Sequence, residues 1–142
     1  MPNLNAAIGI AQLERIVDFI EIKRLNGARY REELGDLECV KLQTEKPWAY
    51  MVYWMYCVEL CREAKLSMNE VRAALLREGI GTRPFFKGLH SQSCLGKFGN
   101  TGQSRYPKTT IASENGFYLP SSVELTGTQI HHISEKLRCV LN

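Results

Sequence analysis

The segment from Ala49 to Leu60 constrains the fold more than any other part of the sequence. It reads AYMVYWMYCVEL and is rich in aromatic and β-branched residues, the composition typical of a β-strand. Alternate residues of a strand point to opposite faces, here Tyr53, Met55, Cys57 and Glu59 on one and Trp54, Tyr56, Val58 and Leu60 on the other. Both sets are largely apolar, so the pattern predicts a central strand that is covered on both faces.

Two capping boxes predict where helices begin on either side of this strand. Ser67 and Glu70 form the first, and the helix that it opens ends at Gly79. Thr126 and Gln129 form the second, which opens a final helix that runs to about Val140. In each box the hydroxyl and the side chain three residues later satisfy backbone amides that a helix start leaves unpaired.

The remaining segments complete a small sheet with helices packed against it. Further short strands are predicted at Glu38–Leu42, Ile80–Phe86 and Phe117–Pro120, with a helical turn at Thr110–Asn115 and a loop at Leu89–Lys108. Strands that alternate with helices indicate an α/β domain, with the α+β-like character of a small sheet. The length of 142 residues suits one such domain rather than two.

Residues 3–34 predict one long helical region with an apolar face. Apolar residues recur at the helical period, namely Leu4, Ala7, Ile8, Ala11, Ile16, Phe19 and Ile20. Asn26-Gly27 is a candidate kink, and Gly35-Asp36 predicts the end of the helix. So much apolar surface needs another domain or subunit to cover it. We therefore expect a single domain over 1–142, with 1–34 as a linking or interface region and 35–142 as the compact α/β part.

Composition limits the classes of function. A hydrophobic content of 44% with a net charge of +3 excludes disorder, and Lys and Arg are spread along the chain rather than gathered as in a nucleic-acid binder. No apolar stretch is long enough for a membrane span, and the first residues lack a secretory pattern, so we expect a cytoplasmic protein. Five scattered cysteines predict buried free thiols, and His131-His132 lack metal-site spacing and predict a surface position.

One stretch concentrates side chains suited to ligand binding. Between Gly79 and His90 lie Arg83, Phe85, Phe86 and Lys87. Arginine offers a planar fork for phosphate or carboxylate, aromatic rings stack on sugars or bases, and histidine titrates near neutrality. The plainer alternative is a helix end followed by an edge strand, with Phe85 or Phe86 in the core. No local pattern indicates a catalytic residue, a metal ligand or a nucleophile elbow.

Three motifs resemble one enzyme family. Residues 1–14 read MPNLNAAIGIAQLE and match the pattern M-x-x-L-x-A-A-x-G-x-x-Q-L-E at every stated position. Residues 79–86 read GIGTRPFF and are followed by Leu89-His90, and residues 116–122 read GFYLPSS. In this order and spacing they resemble the C-terminal, small domain of DegT/StrS-type sugar aminotransferases, particularly the perosamine-synthase-like members.

The resemblance implies a pyridoxal-phosphate-dependent enzyme of fold type I that moves an amino group, typically from glutamate, to a nucleotide-linked keto-sugar. The cofactor and its Schiff-base lysine belong to a large domain upstream of the matching stretch, so no catalytic or cofactor-binding residue is expected within this chain. A homodimer is expected. The resemblance also implies that Arg83 binds a phosphate or orients the domain, Phe86 contacts sugar or base and His90 a sugar hydroxyl, with Phe85 and Lys87 as weaker candidates.

Three functional interpretations remain open from the sequence. In the first, the chain is the C-terminal domain of a sugar aminotransferase and is inactive alone. In the second, it is one half of a split enzyme whose large domain is a separate chain. In the third, it is a non-catalytic module that binds nucleotide sugar or a protein. Pyridoxal phosphate is expected in the complete enzyme and not on this chain alone.

Overall fold

A four-stranded antiparallel sheet organises the molecule. The computed structural model describes residues 2–98 and 105–142. The described elements are, in order, α1 (Asn3–Leu13), α2 (Ile16–Leu34), β1 (Val40–Leu42), β2 (Tyr56–Leu60), α3 (Met68–Arg77), β3 (Arg83–Pro84), α4 (Pro107–Asn115), β4 (Gly116–Leu119) and α5 (Gly127–Leu141), with 3-10 helices at Leu89–Ser91 and Ser93–Phe98. The predicted class, a small sheet with packed helices, is confirmed.

The strand order is β1-β2-β4-β3, so β2 is central as the sequence predicts. Its two faces differ, however. Tyr56, Val58 and Leu60 are buried, whereas Cys57 and Glu59 on the other face are only half-buried. The prediction of a strand covered on both faces is therefore wrong, because α4 contacts only part of the second face. We call this second side the outer face of the sheet.

The core fills the opposite face. It joins Tyr30 and Leu34 of α2, Val71 and Leu75 of α3 and Ile130 and Leu137 of α5 to the buried residues of the strands. The rings of Tyr30 and Tyr56 stack with centroids 4.7 Å apart. Burial of such large apolar side chains is the main term that stabilises a domain of this size.

Both predicted capping boxes are confirmed. The backbone N–H of Glu70 donates to Ser67 Oγ over 3.4 Å, and the backbone N–H of Gln129 donates to Thr126 Oγ1 over 3.2 Å. In each case the side chain of the later residue accepts from the backbone of the first, at 2.8 and 2.9 Å. Helices α3 and α5 therefore begin where local chemistry alone places them.

The long N-terminal helix breaks at a different place from the one predicted. It is interrupted at Glu14-Arg15, whereas Asn26 and Gly27 are buried within an unbroken α2. The ring of Tyr53 lies so close to Gly27 that a Cβ there would stand 2.9 Å from two ring carbons, which accounts for a glycine within the helix. The end at Gly35 is confirmed.

The strand predicted for Ala49–Leu60 begins only at Tyr56. Tyr53 has a φ of 47°, a left-handed conformation that interrupts an extended strand. The preceding loop is held by Arg24, which donates to Glu45 Oε1 over 2.8 Å and to the carbonyl of Met51 over 2.6 Å. We call residues 44–55 the aromatic loop, because Trp48, Tyr50 and Trp54 are exposed on it.

The boundaries of other strands and of α4 also differ from the predicted ones. The strand predicted at Glu38–Leu42 shortens to β1 and that at Ile80–Phe86 to β3, while α4 begins at Pro107, within the predicted loop. Part of that loop, residues 99–104, lies outside the described residues. No helix among the described residues is both long enough and apolar enough to cross a membrane.

The cysteines are free but not buried as predicted. Cys94 and Cys139 are exposed, and Cys39, Cys57 and Cys61 are half-buried. They lie on strand ends, on the outer face and on helix surfaces, which periodicity does not reveal. His131 and His132 are both exposed, which confirms their predicted surface position.

Candidate functional site

The candidate ligand-binding stretch lies at one edge of the sheet. Arg83 and Pro84 form β3, the edge strand, and pair with Tyr118 and Phe117 of β4. The N–H of Phe85 extends this pairing by donating to the carbonyl of Gly116 over 2.9 Å. The helix end and the edge strand that the plainer interpretation predicted are thus both present. The pairing fixes the backbone from which the predicted side chains project.

Phe85 is fixed against the outer face of the sheet. Its ring stacks on Tyr118 with centroids 4.7 Å apart, and a Cβ on Gly116 would lie 2.4 Å from the Phe85 ring. The glycine at 116 is therefore needed for this close approach. Tyr118, which the sequence analysis did not select, is half-buried here, and burial raises the pKa of its hydroxyl. The only sequence signal for it is its place in the GFYLP motif.

Three of the five predicted residues face solvent. Arg83 and Lys87 are exposed, and Phe86 is 67% exposed. Within residues 2–98 and 105–142, the side chain of Arg83 makes no hydrogen bond or ion pair, so its guanidinium keeps its donors available. The ring of Phe86 lies 5.9 Å from that of Tyr118, which places a stacking surface beside the arginine strand. Phe86 and Phe85 are thus both outside the core, with Phe85 on the outer face of the sheet.

His90 turns away from that surface and toward α4. Its Nε2 lies 3.1 Å from Thr110 Oγ1, and its ring is 5.1 Å from that of Tyr106. Gly88 makes this fold-back possible, since a Cβ there would stand 2.5 Å from His90 Cε1. The imidazole is therefore a half-buried group with one nitrogen already engaged.

Only Phe85 of the five borders a described cavity on the outer face. That cavity, of about 180 Å³, is lined by Lys41, Leu42, Gln43, Thr44, Cys57, Glu59 and Phe85. A larger cavity of about 510 Å³ opens between α3 and α5 and contains none of the five. Arg83, Phe86 and Lys87 are exposed along this edge segment, Phe85 stacks on Tyr118, and His90 contacts Thr110.

The described lysines are exposed or are engaged by other groups of this chain. Lys23 and Lys136 are half-buried, and the other described lysines are exposed. Lys23 is engaged with the backbone carbonyls of Trp54 and Ser121, and Lys136 with Glu78 over 2.6 Å. A Schiff-base lysine needs a free amine in a cavity beside a carboxylate for the pyridinium nitrogen. Among the described residues there is also no group of three His, Cys, Asp or Glu that could hold a metal ion.

Comparison with curated proteins gives matches along the whole chain. It is 30% identical over 142 residues to the GDP-perosamine synthase of Vibrio cholerae, which covers 100% of this chain and 38% of that protein. It is 33% identical over 140 residues to the GDP-perosamine synthase of Escherichia coli O157:H7, covering 96% of this chain and 35% of that one. The chain therefore spans little more than a third of the length of these relatives.

Solved structures share the fold. A sugar aminotransferase from Streptococcus pneumoniae, Spr1654 in its PMP-form, superposes with a TM-score of 0.86 at 20% identity over 99% of this chain and 35% of that one. The E. coli GDP-4-keto-6-deoxy-D-mannose-3-dehydratase with bound hydrated PLP gives 0.81 at 18% identity over 92% of this chain and 34% of that chain. The sequence profile of one family matches residues 1–138. The chain belongs to the DegT/DnrJ/EryC1/StrS aminotransferase family.

Proposed function

We propose that this chain is the small domain of a pyridoxal-phosphate-dependent aminotransferase that transfers an amino group from glutamate to a nucleotide-linked keto-sugar. The observation that carries the proposal is the exposed edge formed by Arg83, Phe86 and Lys87, on a motif of a family whose profile matches 1–138. Pyridoxal phosphate, held by a large domain in the same or a separate chain, would supply the chemistry of amino transfer. The chain would be inactive alone, and the cytoplasm is its proposed location.

We propose a role for each edge residue that its exposure and contacts support. Arg83 would bind a phosphate of the nucleotide through its planar fork, and Phe86 would stack on the sugar or base. Lys87 would add positive charge to the same surface. Phe85 supports this surface from below through Tyr118 rather than projecting to the ligand. His90 would reach a sugar hydroxyl only through Nδ1, since Nε2 faces Thr110.

The apolar surface of α1 supports the proposed linking region. None of the residues of α1 is buried, and Leu4, Ile8 and Leu13 are 71, 57 and 68% exposed. Exposed apolar surface on this scale is typical of a contact with another domain or subunit. We propose residues 1–34 as the segment that packs on the large domain and near a homodimer contact, and 35–142 as the small domain.

The first test reads the gene in frame upstream of Met1 and expresses the complete reading frame. If it encodes a large domain, Arg83→Ala should lower kcat/KM for a guanosine diphosphate keto-sugar by about ten- to a hundredfold. This is the effect expected from the loss of one charge-assisted hydrogen bond. Arg77→Ala is the matched control, because Arg77 is also exposed but lies on α3 and donates to the Ala73 carbonyl of its own helix. Equal kinetics for wild type and Arg83→Ala would remove Arg83 from the site.

A second test separates the alternatives on the 142-residue chain itself. Mixed with pyridoxal phosphate and reduced with borohydride, it should yield no stoichiometric adduct at a single lysine. One fully trapped lysine would contradict the proposal that the cofactor is held elsewhere. If a stop codon lies directly upstream, binding of the nucleotide sugar without any partner would favour the binding module. Activity only after addition of a separate large-domain chain would favour the split enzyme.

A further inference from the structure

Two cysteines lie opposite each other at the ends of the neighbouring strands β1 and β2. Val40 pairs with Leu60 and Lys41 with Glu59, so continuing the same register places Cys39 opposite Cys61. The N–H of Cys61 donates to the carbonyl of Cys39 over 2.8 Å, which extends the ladder by one pair. Directly opposed residues of an antiparallel pair project from the same face.

The neighbouring pair shows that side chains meet on this face. Lys41 and Glu59 lie two residues further along the same strands and form an ion pair of 3.6 Å. Period-two alternation puts Cys61 beside Glu59, whereas Cys39 lies in the turn that leads into β1 and is placed by its backbone hydrogen bond to Cys61. Cys39 is also one of the groups that raise the pKa of the Cys61 thiol, which fits their proximity.

The spacing of such a pair is close to what a disulfide requires. In a hydrogen-bonded antiparallel pair the Cα atoms lie about 5.5 Å apart and the Cβ atoms about 4.5–5.5 Å apart. Disulfides span Cα distances of about 4.4–6.8 Å and Cβ distances of about 3.5–4.5 Å. Because hydrogen-bonded pairs lie at the wider end of that Cβ range, closure needs an approach of at least roughly 1 Å between the two Cβ atoms, at a point where both strands end.

We propose that Cys39 and Cys61 form a reversible cross-strand disulfide, with a glutathione-type disulfide as the oxidant. One protein thiolate attacks a sulfur of oxidised glutathione, breaks its S–S bond and releases one glutathione thiolate. The second protein thiolate then attacks the mixed disulfide and releases the other. The two protein thiols lose two electrons, oxidised glutathione gains them, and the two protons pass to the released thiolates.

The pair is accessible to such a reagent. Both cysteines are half-buried rather than enclosed, and Cys61 borders a cavity of about 280 Å³ with Glu59, Arg62 and Ile111. Burial, followed by the nearby Glu63 and Glu59 carboxylates, raises the pKa of Cys61. Since the thiolate is the reacting form, the rate of closure should rise with pH.

The bridge would close a ring of residues 39–61 around the aromatic loop. That ring joins the chain just after α2 to the end of the central strand. A cross-link of this span removes conformational freedom from the unfolded chain, so the oxidised form should melt about 5–10 °C higher than the reduced form.

The test uses the full chain with C57S, C94S and C139S, which leaves Cys39 and Cys61 as its cysteines. It is equilibrated with reduced and oxidised glutathione at several ratios, alkylated and digested with trypsin. The expected product is monomeric, has lost both free thiols and yields tryptic peptides 32–41 and 42–62 joined by one bond. Dithiothreitol should restore both thiols and the lower melting temperature. The matched control adds C39S, which should leave Cys61 alkylated and the melting temperature unchanged by oxidant.

Circular dichroism establishes that each variant is folded, and the unmutated chain provides a second measurement. There, fragmentation of peptide 42–62 separates Cys61 from Cys57, which lies about four residues of extended strand away from it. A Cys39–Cys61 bond in the unmutated chain supports the proposal even if the triple variant fails to fold. Oxidation confined to bonds between chains through Cys94 or Cys139, or alkylation of both Cys39 and Cys61 in excess oxidised glutathione, would overturn it.

Discussion

The first and last helices of the chain use apolar residues in opposite ways. Helix α1 has 11 residues, begins at Asn3 after Pro2 without a side-chain cap and buries none of its residues. Helix α5 has 15, begins with a complete capping box and buries Ile130, Ile133, Ser134, Leu137 and Leu141. Both carry an apolar surface, but only that of α5 meets the sheet and its neighbouring helices in this chain.

The difference shows that hydrophobic content alone does not identify the core. Ile8 and Leu13 of α1 are as apolar as Leu137, yet they gain nothing from the fold of residues 35–142 because no described residue covers them. Helix α5 is specified locally by its cap and globally by packing. Helix α1 depends on a surface supplied from elsewhere, in agreement with the proposed linking region.

The largest effect should come from truncating the buried face of α5. Leu137→Ala removes a fully buried side chain and should lower the free energy of unfolding by about 2–5 kcal/mol. Ile8→Ala on α1 should change it by less than about 0.5 kcal/mol, since Ile8 is 57% exposed. Urea unfolding followed by circular dichroism measures both. A loss above about 1 kcal/mol for Ile8→Ala would show that the chain covers α1 itself.

Alanine substitutions at two helical glycines should change the stability by an intermediate amount. The change should be a loss at Gly27 and a gain at Gly9. Gly27→Ala would place a methyl group 2.9 Å from the ring of Tyr53 and should cost about 1–3 kcal/mol. Gly9→Ala in α1 meets nothing within 4 Å and should raise stability by up to about 1 kcal/mol through helix propensity. Both are measured by thermal unfolding. In a Tyr53→Ala background the cost at Gly27 should disappear; a cost that persists would place the clash elsewhere.

The smallest effect concerns the ion pair that ties α5 to α2. His131 Nδ1 lies 2.9 Å from Glu33 Oε1, and this hydrogen bond and ion pair raise the pKa of His131 above its usual 6.5. The stability it contributes is therefore fully present below pH 6.5 and is lost as the pH rises through the higher value of the folded state. His131→Asn should remove this pH dependence of the unfolding midpoint, and Glu33→Gln should lower the His131 pKa in an NMR titration. His132→Asn serves as the neighbouring control, and an unchanged pH dependence in His131→Asn would exclude the pair as its source.

The elements predicted correctly from the sequence are those governed by neighbours in the chain. The capping boxes at Ser67 and Thr126 contain their own partners three residues away, so both helix starts are predictable. The late start of β2 follows the left-handed conformation of Tyr53, whose ring packs against Gly27, a contact between residues 26 positions apart. The spacing of apolar residues along the sequence does not reveal such a contact.

The residues of the candidate site likewise divide into those that the sequence indicates and those that only the structure shows. Residue chemistry identified Arg83, Phe86 and Lys87, which project from a short edge strand into solvent. It did not identify Tyr118, which contacts Phe85 from a position 33 residues further along, nor the turn that directs His90 to Thr110. Their roles as ligand contacts remain predictions, because the ligand-binding partner surfaces of the proposed enzyme lie outside this chain.

The sheet's two edge strands also have a consequence for how copies of this chain can meet. Strand β3 is two residues long and contains Pro84, which has no N–H to offer to an incoming strand. Strand β1 is three residues long and carries the exposed Lys41. Both ends of the sheet thus resist strand-by-strand growth of the kind that leads to amyloid. When the chain self-associates, it should do so through helix surfaces, in assemblies that stay finite and redissolve.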